Sequence, residues 1–211
     1  MANNLITCFI AFASLIAPVG LVVAASPVID LDEGTVSGAR LQPSIDAITD
    51  ILGRPTLVAG SAQTKQLVYA DKGLEVEFRD GQMVKLTVHL IEKPDILKRY
   101  VLRPFSGELS HGITADTKAK EIMRRYRVSA EAATDSANIV EQARKEAAEI
   151  MQTGKRKPSI KMAGPIGIIT VPFRRERSFP VVGEPALTHD VLFTFETTTG
   201  FVKEIDILWH L

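Results

Sequence analysis

The sequence predicts an α+β protein, two helix-plus-antiparallel-sheet units after an N-terminal apolar leader, and three observations carry that reading. The first 25 residues hold no charged side chain. A short amphipathic helix is then followed by alternating runs that meet at an Asp80-Gly81 turn. Finally, a hairpin near the C-terminus echoes the first: Gly81-Gln82-Met83-Val84-Lys85-Leu86-Thr87-Val88 aligns without a gap with Gly200-Phe201-Val202-Lys203-Glu204-Ile205-Asp206-Ile207, with Phe78 and Phe195 on the strands before. The echo reads as an internal duplication. Convergent hairpin chemistry gives the same pattern, so both origins stay open.

In chain order, residues 5–25 are apolar apart from Thr7, Cys8, Ser14 and Gly20, the composition of a segment that enters a bilayer. Pro18 and Gly20 break the helix near its end. Val23-Ala24-Ala25 followed by Ser26 places small or short residues where a signal peptidase reads, so cleavage between Ala25 and Ser26 is expected. No Lys or Arg stands among the first four residues, which keeps an uncleaved single-pass anchor as the alternative. Either fate puts the following domain outside the cytoplasm, periplasmic or secreted in one case and membrane-anchored in the other. The single cysteine, Cys8, lies inside the leader, so a cleaved product has neither a disulfide framework nor a cysteine metal site.

Cleavage leaves about 185 residues, the size of one domain or two small ones. Residues 26–40, with Asp30, Asp32, Glu33, Gly34 and Gly38, read as a linker. The first α+β unit spans 41–92. Pro43 suits a first helical position, and Ile45, Ile48, Ile51 and Leu52 follow at helical spacing until Gly53 stops the helix. Three strands follow at 66–70, 74–78 and 83–90, an antiparallel meander turned by Asp71-Lys72-Gly73 and Asp80-Gly81. A connector, 93–112, contains Pro94, Pro104 and a short strand around 100–102.

The second unit spans 113–211. Residues 114–116 cap a helix carrying Ala119, Ile122, Met123 and Tyr126, and an inserted Ala-rich helix covers 129–153. Strands at 166–171, 190–197 and 201–208 complete it, the last two joined through Thr198-Thr199-Gly200. Phe193, Phe195, Phe201 and Trp209 read as core.

The chemistry-bearing residues are sparse. No segment matches a serine-hydrolase elbow, a zinc-protease helix, a Cys-x-x-Cys pair, a phosphate loop or a dinucleotide fingerprint. His89, His111, His189 and His210 are scattered, and Glu75, Glu77, Glu204 and Asp206 alternate with apolar residues as the solvent face of a sheet does. The expectation is no enzyme activity, no cofactor and no metal. Lys155, Arg156, Lys157, Lys161, Arg174, Arg175 and Arg177 form a basic run opposed only by Glu176, suited to an anionic partner such as a lipid surface. Formal charge is balanced, 25 basic against 25 acidic, which removes the argument for nucleic acid.

Residues 44–88, with the helix end Leu52-Gly53-Arg54-Pro55 and the strands around Tyr69, 74–78 and 83–88, resemble the small bacterial envelope modules of the SmpA/OmlA type. The apparent doubling resembles the tandem arrangement of beta-lactamase inhibitor proteins. These resemblances imply binding without catalysis in a bacterial envelope. They cover about a quarter of the chain. The second unit has Arg125-Tyr126-Arg127 where the Gly-Pro stop would stand, and no cysteine sits where a lipid anchor would need one. The expected function is an exported, non-enzymatic protein that binds a protein partner, with an immunity-type inhibitor as its specific form. The alternatives are a hydrolase built from scattered carboxylates and histidines, and a membrane-surface module.

Overall fold

A computed structural model describes residues 26–38, 44–95, 99–128, 133–134, 157–174 and 188–210. Its centre is one large antiparallel sheet. Strands β3 (Leu57–Gly60), β4 (Thr64–Tyr69), β5 (Leu74–Arg79) and β6 (Gln82–His89) form one meander, and β11 (Ser159–Ala163), β12 (Ile166–Arg174), β13 (Thr188–Glu196) and β14 (Val202–His210) form another. They join where β6 pairs antiparallel with β14, giving the order β11-β12-β13-β14-β6-β5-β4-β3, with the short β10 (Ala133–Thr134) added in parallel to β11.

This corrects the expected fold class. The protein is mostly β, with two short helices among the described residues, not two helix-plus-sheet units. The physical reason lies in the lengths. Helices α1 (Ile45–Leu52) and α2 (Ala119–Arg125) have eight and seven residues, about 12 Å each at 1.5 Å per residue. Neither can cover a four-stranded sheet, some 15 Å or more across at about 4.8 Å per strand. Joining the meanders through β6 and β14 pairs two strands whose backbone groups would otherwise face solvent as open edges.

The layer over the sheet is completed by a segment expected to be a linker. Residues 28–30 form β1 (Val28–Asp30), which pairs antiparallel with β2 (Thr35–Val36) and parallel with β9 (Glu108–Leu109). Ile29 and Leu31 are fully buried and Val36 nearly so, in the same core as Ile48, Leu52, Ile122, Leu86, Phe193 and Ile207. Burying side chains of this size contributes about 1.5 to 3 kcal/mol each, enough to hold a Gly- and Asp-rich segment against the sheet.

Other expectations meet local corrections. The α1 cap is Ser44, whose Oγ accepts from the Ala47 N–H at 3.2 Å; Pro43 lies outside the described residues. Lys118 precedes α2 with no side-chain cap, while Thr117 Oγ1 instead accepts from the Thr114 N–H. Ala133 and Thr134 are extended and pair with Ile160 and Lys161, not helical; the rest of the expected helix at 129–153 lies outside the described residues, as does the leader through Ala25. The three expected strands and their turns are present, but the meander has a fourth strand, β3, ahead of them that is not among the expected elements. Asp80 and Gly81 both have positive φ, 49° and 81°, the geometry of a two-residue hairpin turn matched to strand twist. Each of the two echoing hairpins also carries a register shift just before its phenylalanine, at Glu77/Phe78 and at Thr194/Phe195.

Candidate functional site

Alternation along each strand sends one set of side chains into the core and the other to the opposite face. Strand pairing arranges that outer set in rows. Val68, Glu75, Thr87, Asp206, Leu192 and Thr170 are successive cross-strand neighbours from β4 to β12, and His89, Glu204, Thr194 and Ile168 form the row beside them. The face is therefore divided. Over β12, β13 and the end of β14 it presents Ile168, Thr170, Leu192, Thr194 and Leu208, all half-buried, bounded along β13 by Asp190, which pairs with His210, and by Glu196. Over β5, β6 and the start of β14 it presents a charged band.

That band gathers the four carboxylates that alternate in the sequence. Lys85 Nζ lies 3.0 Å from Asp206 Oδ1, which also accepts from the Thr87 hydroxyl at 2.6 Å. His89, 1% exposed, stands between two carboxylates: Nδ1 is 3.1 Å from Glu204 Oε2, and Nε2 is 3.4 Å from Glu75 Oε1, an ion-pair contact without a well-aligned hydrogen bond. Lys93 Nζ reaches the same Glu204 oxygen at 2.8 Å, and Gln66 Nε2 donates to Glu75 at 2.8 Å.

Burial alone would lower the His89 pKa, but the facing carboxylates Glu204 and Glu75 outweigh it and hold the imidazole above its ordinary value. His89 in turn pulls Glu75 down, and pulls Glu204 to about 2 with help from Lys93 against the opposing effect of burial. The two carboxylates thus favour the imidazolium form and occupy both ring nitrogens, an arrangement of a salt-bridge network rather than of a free general base.

A second cluster pins the N-terminal segment. Asp32 Oδ2 is 2.8 Å from His111 Nε2, and Asp32 Oδ1 accepts from the Tyr126 hydroxyl at 3.2 Å. Burial raises the Asp32 carboxyl, partly offset by Tyr126, and burial beside Asp32 raises the tyrosine. His111 has φ 66°, in the left-handed region that few residues other than glycine adopt, and its carbonyl accepts from Arg125 at 2.8 Å. Tyr126 packs edge-on against His111 and Phe173, and Phe173 stacks on His189, whose Nε2 donates to the Leu31 carbonyl at 2.8 Å. Burial lowers the His189 pKa, which favours the neutral ring that donates to Leu31.

Of the basic run, Lys157 and Lys161 are described and exposed, Lys161 on the outer side of β11, and Arg174 ends β12. Lys155, Arg156, Arg175 and Arg177 lie outside the described residues, so nothing here joins the run into one patch. Phe193, Phe195 and Trp209 are buried as expected, while Phe201 is half-exposed under the Lys118 ammonium at 5.3 Å. His210 pairs with Asp190 at 2.9 Å. Among the described residues no three His, Cys, Asp or Glu side chains are placed to hold a metal ion, and no helix is long and apolar enough to cross a membrane. No protein-family model matches the chain, and neither a curated protein nor a solved structure matches it.

Proposed function

We propose that this is an exported, non-enzymatic binding protein whose partner is another protein, docked on the outer face of the sheet. The observation that carries this reading is the division of that face, an aliphatic and hydroxyl patch over β12 and β13 bounded by the charged band over β14, β6 and β5 and by Asp190 and Glu196 at the ends of β13. Protein interfaces share this anatomy, with charge depleted at the centre and polar groups at the rim. Size supports it too. The patch over β11 to β14, four strands at about 4.8 Å and up to about 30 Å long, offers on the order of 500 Å², and the charged band extends it toward the ~800 Å² per partner of a standard interface.

The apolar leader supports export, and the SmpA/OmlA and inhibitor-protein resemblance supports an envelope setting. An immunity-type inhibitor of an enzyme or toxin acting in that compartment is the specific form of the reading. The test pairs affinity capture from envelope extracts with the double substitution Leu192→Arg and Thr170→Arg. The reading expects a stoichiometric protein partner with the wild type and its loss with the variant. Recovery of no stoichiometric partner, or of the same partner by both proteins, contradicts it.

The Asp32 and His111 pair favours hydrolysis as a second reading, since a carboxylate 2.8 Å from a half-exposed imidazole orients it as a general base would be oriented. That reading requires a hydrolytic activity abolished by His111→Ala at unchanged stability.

A further inference from the structure

The strand β1 begins at Val28, so only Ser26 and Pro27 separate it from the expected cleavage bond after Ala25. Ser26 is exposed and Pro27 is buried. The Pro27 carbonyl accepts from the Glu108 N–H at 3.0 Å. The backbone of Val28 is held by Ser37, its N–H donating to Oγ at 3.2 Å and its carbonyl accepting from the Ser37 N–H at 2.6 Å. Gly107, which follows the connector strands β7 (Lys93–Pro94) and β8 (Val101–Leu102), makes room for this seat. A Cβ there would strike the Pro27 carbonyl and the Phe105 ring. Ile29, next along the strand, is fully buried.

These contacts decide whether the bond can be cut. A peptidase holds an extended stretch on both sides of the bond it cleaves, and it competes for the backbone groups that the docked strand already uses. Ser26 alone stands between the bond and buried Pro27, and one extended residue reaches about 3.5 Å. That is too short to carry the bond clear of a folded body whose helices are about 10 Å thick. The seat also forms late in synthesis. Leu31 is tied to Ser110 Oγ across 79 residues and to His189 across 158. At about 5 to 20 residues per second, the His189 contact becomes available about 8 to 30 s after Leu31 itself.

We propose that docking of β1 closes the Ala25–Ser26 bond to signal peptidase, so that leader removal precedes docking and a chain that folds first keeps its leader as a membrane anchor. Free and anchored forms are then two outcomes of one race. The inference rests on the export reading and is independent of what docks on the sheet.

The test uses the full chain, leader included, folded in detergent micelles and treated with purified signal peptidase, with intact mass as the readout. Two variants open the seat. Ile29→Asp puts a charge into the core, and Gly107→Val strikes the Pro27 carbonyl, with retention of the sheet checked by far-ultraviolet circular dichroism. Both should yield a product starting at Ser26 about tenfold or more faster than the wild type, because cleavage follows the population of the open form. Equal cleavage of the wild type and both variants overturns the proposal and leaves the export reading standing. Cleavage of none of the three overturns both, since the bond is then no signal-peptidase site even when it is free.

Discussion

His89 and its carboxylates decide much of the pH response of this protein. A histidine held above its unfolded value stabilises the fold fully below about pH 6.5, and that contribution is lost as pH rises through its folded value. Glu75 and Glu204, held below theirs, contribute above about pH 4.5 and lose it as pH falls toward the folded values, about 2 for Glu204. The network is therefore most stabilising between roughly pH 4.5 and 6.5. His189 acts oppositely, losing stability as pH falls below about 6.5, because its buried ring resists protonation. The sign is thus carried by the difference between wild type and His89→Gln in urea melts across pH. That difference should be largest near pH 5.5 and shrink by pH 9. Replacing His89 by Ala should cost about 3 kcal/mol near pH 5.5, since it strands partly buried charges. This site was only half legible in the sequence. Alternation shows that Glu75, Glu77, Glu204 and Asp206 share a kind of face, but nothing local shows that β6 pairs with β14 and brings Glu204 to His89.

The docked N-terminal segment and two glycine turns make the firmest predictions about individual elements. Leu31→Ala, at a fully buried position beside the His189 contact, should destabilise by about 2 to 5 kcal/mol in denaturant titration. Two glycines separate a turn from a close approach. At Gly81 a Cβ meets nothing, so Gly81→Ala should cost only the positive-φ penalty of about 1 to 2 kcal/mol. At Gly73, also at positive φ, a Cβ would collide with the Arg103 carbonyl and crowd the Phe105 nitrogen, so Gly73→Ala should cost more and expose the Arg103 and Phe105 amides to exchange. The meander and α1 were legible because each is locally coded, by Gly53, by Asp80-Gly81 and by strict alternation. The strand β1 was not. Three residues followed by acidic and glycine turns carry the composition of a linker, and only the long-range burial of Ile29 and Leu31 makes them structure.

One sheet with one main core distinguishes this molecule from a pair of independently folding units. Unfolding followed by the fluorescence of Trp209, the sole tryptophan, should coincide with loss of far-ultraviolet β signal in a single transition. Separate units would give two. The same continuity makes one outer face of the two meanders, with Leu102 of the connector packed over its β4 side. The most direct measurement places a photo-crosslinking residue at Leu192 or at Thr170 in the full chain expressed in its own cell, with a control at Asp50 on the exposed side of α1. The account predicts one shared protein adduct from both sheet positions and none from the control. Absence of an adduct at both sheet positions, or an equal adduct from Asp50, would contradict it.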